Sequence, residues 1–524
     1  MTPGTKLRRL HEAACLLRAY PQSASDLAAA RRVLSGFHHR PDVKQHAEAL
    51  ADSGIAGTPI HSRFFWPMAR WLADRYPKLL TIDWTEGEFE GRLAAALPLL
   101  VTPAEAEALR RAELPAREAI EKVRAPRETD ATFLVKRIEA LPGGDAVREA
   151  THDALDICYR LVGSGNGPNR TRAFYDGAPF AFRAKPPARS RPDLATEILT
   201  PPRSVRALST RDGARLVDLA RAAMVTRSRD LDAFAYGDPH DVRMLDDGDG
   251  LAFALIGVVP ERRLFLPAVY GALTLRNGVP IGYVQLDVLF GNAEVSYNTF
   301  ETFRGGEAGF VFGRLLAAAR HVFGVTSFSI EPYQLGRGND EGILSGAWWF
   351  YARFGFRPRD PKVLRLARSE LRKRARDPEY RSDRPTLLRL AGAHVFWSQD
   401  GKGRGIVTPT AAIGFALTRR LAARAGADRE AARSSCENRA SKRLGVRSVS
   451  GFTAGERLFW RRWAPLLDAL PGVERWTPAA RRALVRIVRA KGQRRESEYV
   501  RLFDAHPRLA TAVLAVAGRS PRMR

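Results

Sequence analysis

Cysteine is scarce in this chain: Cys15, Cys158 and Cys436 are the only three in 524 residues. An odd, widely spaced set argues against a disulfide framework and against a zinc site, and reads as isolated reduced thiols to which no role is assigned. Long apolar runs are missing as well. The longest, such as TAVLAVAG from Thr511, fall far short of the roughly 20 residues that a membrane span needs. The first residues, MTPGTKLRRLHEAACLLRAYPQ, carry neither an uninterrupted apolar leader core nor a cleavage site. A cytoplasmic protein without a membrane span is therefore expected. Lysine is rare too, supplying only 11 of the 84 basic residues; codon bias in a GC-rich genome produces so lopsided a ratio. No P-loop, no metal-binding His or Cys spacing and no Gly-x-Ser-x-Gly elbow occurs, so no metal is expected.

What is present is an ordinary globular composition with an unusual charge. At 45% hydrophobic residues, disorder is not the main state, and the length predicts two to four domains. The formal net charge is +27. Residues 401–524 hold 27 basic against 9 acidic residues, so two-thirds of the excess lies in the last quarter of the chain. Such a segment is drawn to phosphate backbones or to an acidic protein surface.

Periodicity divides the chain. Apolar residues recur at three and four in LHEAACLLRAY, DLAAARRVL and THDALDICYRLV, which predicts a mainly helical N-terminal domain over residues 1–165. Its aromatic cluster, Phe64, Phe65, Trp66 and Trp71 beside His61, reads as a core staple in preference to a ligand groove. Residues 166–203, rich in Pro, Arg and Gly, predict a linker or extended strap. A helical pair then precedes four apolar or alternating segments whose RNG and FGN turns have hairpin spacing, predicting an antiparallel sheet. The helix GFVFGRLLAAARHVF, the strand VTSFSI and a last helix capped by Asn339 or Asp340 follow, the last with Leu344, Ala347, Tyr351 and Phe354 as inward positions. The class is α+β, multidomain. Residues 363–400 predict a charged helical tether, and 401–524 a basic helical region.

Two runs carry chemistry. Arg304, Gly305, Gly306, Glu307, Ala308 and Gly309 form a glycine-rich turn ahead of a helix, where backbone amides and the helix dipole favour an anion. Ala347, Tyr351, Gly355 and Phe356 stand at the spacing Ala-x-x-x-Tyr-x-x-x-Gly-Phe. On these runs, residues 205–360 resemble the GNAT superfamily of N-acetyltransferases, a domain set at about 204–362. The resemblance implies a mixed sheet flanked by helices and acetyl-CoA or another acyl-CoA as co-substrate. It implies that Tyr351 protonates the departing thiolate, a role suited to a phenol of pKa near 10. Glu331 is the favoured general base, Glu294 the second, with Glu301 also near the strand end. The pyrophosphate is expected on Arg304, Gly305, Gly306 and Gly309, and backbone amides around Thr299, Phe300, Glu301 and Phe303 polarise the carbonyl. Two departures stand out. Glu307 occupies the first glycine position, where a carboxylate either caps the turn internally or competes with phosphate, and Leu344 replaces an expected asparagine. One of Trp348 and Trp349 points away from the inner face, sealing an interface or lining an acceptor pocket.

The leading expectation is an acyl-CoA-dependent N-acyltransferase with an unidentified amine acceptor. Two alternatives stay open: a catalytically inactive GNAT-like scaffold that binds nucleic acid or an acidic partner through residues 401–524, and a transferase using aminoacyl-tRNA.

Overall fold

A computed structural model of the chain describes residues 2–163, 165–183, 192–305, 307–401 and 405–518. Helices Pro3–Ala19 and Ala24–Gly36 open it, the second started by a capping box in which Ser23 and Asp26 satisfy each other's backbone amides. The N-terminal region is mainly helical but also holds a small antiparallel sheet of β1 (Ile60–Ser62), β2 (Leu80–Ile82) and β3 (Tyr159–Leu161), with β3 central. Phe64, Trp66 and Trp71 are buried in its core with Tyr159, as a staple should be.

Among the described residues the main sheet has nine strands. They are β4 (Ser204–Ala207), β5 (Gly237–Gly248), β6 (Leu251–Val258), β7 (Ala268–Arg276), β8 (Val279–Leu289), β9 (Asn292–Thr299), β10 (Ser327–Ile330), β11 (Arg357–Pro358) and β12 (Val395–Ser398). Their spatial order is β11-β12-β10-β9-β8-β7-β6-β5-β4. From β4 to β9 every pair is antiparallel. The hairpin turns bear this out: Asn277 and Gly278 have φ of 48° and 78°, and Phe290 and Gly291 of 55° and 64°, the left-handed pairs that match strand twist in a two-residue turn. β9 and β10 run parallel, because helix Ala308–Phe323 carries the chain back across the sheet between them.

Both faces of the sheet are covered, which explains why LAFALIGV in β6 is buried at every position. Phe253, Leu255, Tyr270, Ala272, Val284 and Leu286 face helix Ala308–Phe323 and the C-terminal helices. Ala252, Ala254, Ile256, Leu273 and Tyr283 face helices Thr210–Val225 and Pro3–Ala19.

Two sequence-based expectations need correction. Residues 363–400 are more than a tether: after helices Pro361–Arg376 and Arg384–Leu390, β12 inserts between β10 and β11, with Ile330 opposite Val395. The charged helices masked a four-residue strand. Nor are residues 401–524 a peripheral tail. Phe459, Trp460, Trp463, Tyr499 and Phe503 belong to the same core as Tyr270, Phe290 and Phe323. The Trp463 indole donates to the Phe265 carbonyl at 2.7 Å and the Tyr499 hydroxyl to that of Leu266 at 2.8 Å. Arginine-rich outer faces hid an apolar inner one. The strap is fastened also: Arg314 donates to Asp247 and Glu197, both at 2.7 Å, and to the carbonyls of Thr200 and Pro201.

Candidate active site

The site forms where β9 and β10 part. Their pairing runs from Asn292 opposite Ser327 to Glu294 opposite Ser329 and then stops, although β9 continues to Thr299. β8 still pairs with β9 along that stretch, so only the β10 side opens. A cleft of about 230 Å3 occupies the gap, lined by Tyr297, Thr299, Arg304, Gln334, Glu341 and Tyr351.

Tyr351 reaches it from a broken helix. Asn339 caps Asp340–Leu344 through its side chain, accepting from the Gly342 amide at 3.2 Å. The chain then turns at Gly346, φ 68°, and resumes as Ala347–Arg353. The break corrects one expected inward position: Leu344 is 82% exposed. Past the break the spacing holds, and Tyr351 is 3% exposed, its ring edge-on to Phe312 at 5.5 Å. Gly355, φ 91°, ends the helix. Burial, with a smaller contribution from Tyr297, pushes the Tyr351 phenol well above its ordinary value, so it stays protonated at neutral pH. Beside it the Tyr297 hydroxyl donates to the Ala308 carbonyl at 3.2 Å and accepts from Thr299 Oγ1 at 2.9 Å.

The two favoured base candidates come together on the opposite face of the sheet. Glu294 precedes the point where the strands part, and Glu331 follows the end of β10. Burial and then the Glu294 charge push the Glu331 carboxyl above its usual range, and Gln334, which lines the cleft, hydrogen-bonds it. His394 Nε2 lies 3.1 Å from Glu294. Asp287 on β8 joins this group, a residue that sequence reasoning passed over. The signal was there: a two-residue turn at Phe290–Gly291 sets Leu289 opposite Asn292 and hence Asp287 opposite Glu294. No group of His, Cys, Asp and Glu among the described residues has the arrangement of a metal site.

The glycine turn meets a second cavity of about 840 Å3, which adjoins the cleft, Ala308, Ser345 and Phe350 lining both. Gly305, Ala308 and Gly309 line one side, Trp349, Arg353, Arg374 and Arg381 the other. Gly306 lies outside the described residues. Arg304 donates to the Thr299 carbonyl at 3.1 Å and to Glu341 at 2.5 Å, while Arg229 holds the other Glu341 oxygen at 2.6 Å. Glu307 does not cap the helix that follows. Its carboxylate is held by Arg183 at 3.0 Å and Arg276 at 2.6 Å, so the internal-cap expectation fails. First-turn amides of that helix, Gly309 among them, have no intrahelical acceptor.

Three expected contacts lie elsewhere. The Phe300 amide donates to the Ile281 carbonyl at 2.9 Å and the Phe303 amide to that of Phe300 at 2.8 Å. Both rings are buried against the N-terminal helix, and Glu301, exposed, pairs with Arg8 at 3.0 Å. None of Phe300, Glu301 and Phe303 lines the cleft. Both tryptophans belong to the core, and Trp349 also lines the large cavity. No family model, curated protein or solved structure matches the chain.

Proposed function

We propose that this chain is an acyl-CoA-dependent N-acyltransferase acting on an amine. The observation that carries the reading is the parting of β9 and β10, with the buried Tyr351 and Gln334 lining the gap and Gln334 hydrogen-bonding Glu331, beside which Glu294 stands. The co-substrate supplies an acyl thioester. Glu331, whose raised pKa brings it closer to neutrality, takes the proton of the acceptor ammonium, directly or through water. The freed nitrogen attacks the thioester carbonyl, the carbon–sulfur bond breaks, and Tyr351 gives its proton to the departing sulfur. Glu294, next to Glu331, adds to the upward shift of that carboxyl and is the alternative base.

Residues for the donor's phosphates are present as well. The open N-terminus of helix Ala308–Phe323 faces the larger cavity, and Glu307 is drawn to the other side by two arginines. The test is a thermal shift with acetyl-CoA, followed by thiol release with a panel of primary amines. Stabilisation by ligand at about 1 mM and amine-dependent thiol release are expected; no shift and no release would end the reading.

One observation favours a second reading, a scaffold for nucleic acid. Arg365, Arg368, Arg372 and Arg376 form one exposed row on helix Pro361–Arg376, and none has an acidic partner among the described residues. Binding of RNA or DNA that weakens steeply with salt, in the absence of any coenzyme effect, is its signature.

A further inference from the structure

We infer that the large cavity beside the glycine turn contains a second anion subsite, made by Arg374, Arg381 and the Trp349 indole, that selects a donor nucleotide bearing a phosphomonoester in addition to its pyrophosphate. The inference rests on the acyl-CoA reading for the kind of ligand, and goes beyond it in assigning a specificity to a segment inserted between the last two strands of the sheet.

Two anion-attracting groups face the same cavity from different walls. One is the helix N-terminus at Ala308 and Gly309, a place for a pyrophosphate. The other is built by residues far along the chain: Arg374 from helix Pro361–Arg376 and Arg381 from the loop after it, with Arg353 at the end of the Tyr351 helix. Arg374 has no hydrogen bond or ion pair among the described residues, and its guanidinium stacks on Trp349 at 4.9 Å. That contact holds the side chain by the ring and leaves its N–H groups without a protein acceptor among the described residues, open to an oxyanion. Arg381 Nη1 donates to the Pro378 and Tyr380 carbonyls at 3.0 Å, which anchors the side chain, and Glu379 stands 3.9 Å from its Nη2.

Trp349 is 6% exposed and lends its ring to the cavity wall beside Arg374, while its Nε1 is buried out of reach of the cavity and has no hydrogen-bond partner among the described residues. Burial, then the neighbouring charges of Arg353 and Arg381, lower the Arg374 pKa, so like charges crowd this wall and a dianion would relieve them. A phosphomonoester carries nearly two charges at neutral pH and accepts from two guanidiniums at once, which a pyrophosphate already held at the helix end cannot supply.

The experiment compares coenzyme A with its 3′-dephospho form by isothermal titration on the full chain. The wild type is expected to bind the phosphorylated form at least about tenfold more tightly. Arg374→Ala and Arg381→Ala should lose that preference while keeping the wild-type affinity for the dephospho form, and Trp349→Phe should reduce it. Equal binding of both forms by the wild type, or a preference that survives in Arg374→Ala and Arg381→Ala, would overturn the assignment. The two readings fail separately. Discrimination without any acyl transfer to amines removes the transferase and leaves the subsite, whereas transfer at equal KM from phosphorylated and dephosphorylated donors removes the subsite and leaves the transferase.

Discussion

Asp287 and Glu294 face each other directly across β8 and β9, two carboxyl groups on one side of the sheet with a histidine, not an arginine, as the nearest partner of the second. That pairing is costly, because Asp287 is buried beside a second carboxylate. Like charges opposed across an antiparallel pair destabilise it. Burial first, then Glu294, pushes the Asp287 carboxyl up to about 7, and the hydrogen bond from Gln285 Nε2 at 3.0 Å only partly offsets this.

The sign of the pH dependence follows. The folded pKa lies above the unfolded value, so between roughly pH 4 and 7 the folded chain holds more protons than the unfolded one, and stability falls as pH rises through that window. Asp287→Asn removes the titration. Its melting temperature relative to wild type should therefore improve from pH 5 to pH 8, with the wild type closest to the variant at the acid end. A difference independent of pH would mean that Asp287 carries no shifted proton.

Tyr351→Phe separates chemistry from packing. The hydroxyl has no hydrogen-bond partner among the described residues, and the ring is held by Phe312, Phe350 and Phe356. Removing the oxygen should thus change stability by less than about 1 kcal/mol. It should leave acetyl-CoA affinity intact and lower kcat by about 10²-fold or more, the range of a lost general acid. Unchanged turnover would remove Tyr351 from the reaction.

Much of this fold was legible because local rules agree with one another. The turn pairs Asn277–Gly278 and Phe290–Gly291 announced two hairpins, and Ala347, Tyr351, Gly355 and Phe356 announced the helix that closes the cleft. What stayed hidden depended on partners distant in sequence. β12 is four residues long and owes its place to β10 and β11, and the Arg374 wall looked like a solvated helix face until Trp349 met it. Leu344 shows the converse: its periodicity was right for a continuous helix, and Gly346 broke that helix first.

The C-terminal region should prove inseparable from the sheet. Lys491 and Glu496 form an ion pair with no solvent exposure, and the Lys491 ammonium also donates to the Leu266 and Pro267 carbonyls at 3.0 and 2.9 Å. Arg263 meets the same segment through the Lys491 and Gln493 carbonyls. Lys491→Met leaves Glu496 buried without its lysine, a loss of about 3–5 kcal/mol that urea denaturation would read. Truncation at residue 400 should give insoluble protein, since it uncovers Tyr270, Phe290 and Phe323. A soluble, cooperatively melting fragment would show that the C-terminal helices are an appendage after all.

Glu307 gives the last prediction, and its sign distinguishes two views of the glycine turn. If the carboxylate blocked the helix N-terminus, Glu307→Gly would tighten coenzyme binding. In the structure it is already turned away: Arg276, itself buried, holds one oxygen at 2.6 Å and Arg183 holds the other at 3.0 Å. Glu307→Gly should therefore improve affinity by no more than about twofold, because no competitor is removed from the amides. It should destabilise the fold, since Arg276 loses its carboxylate in a buried position, by about 1–3 kcal/mol. Glu307→Gln, which retains one acceptor for the two guanidiniums, should recover part of that loss without changing affinity. Coenzyme binding about tenfold tighter in Glu307→Gly than in wild type would instead mean that the carboxylate swings back to the turn in solution, and that the arginine pair is its resting place only in the free chain.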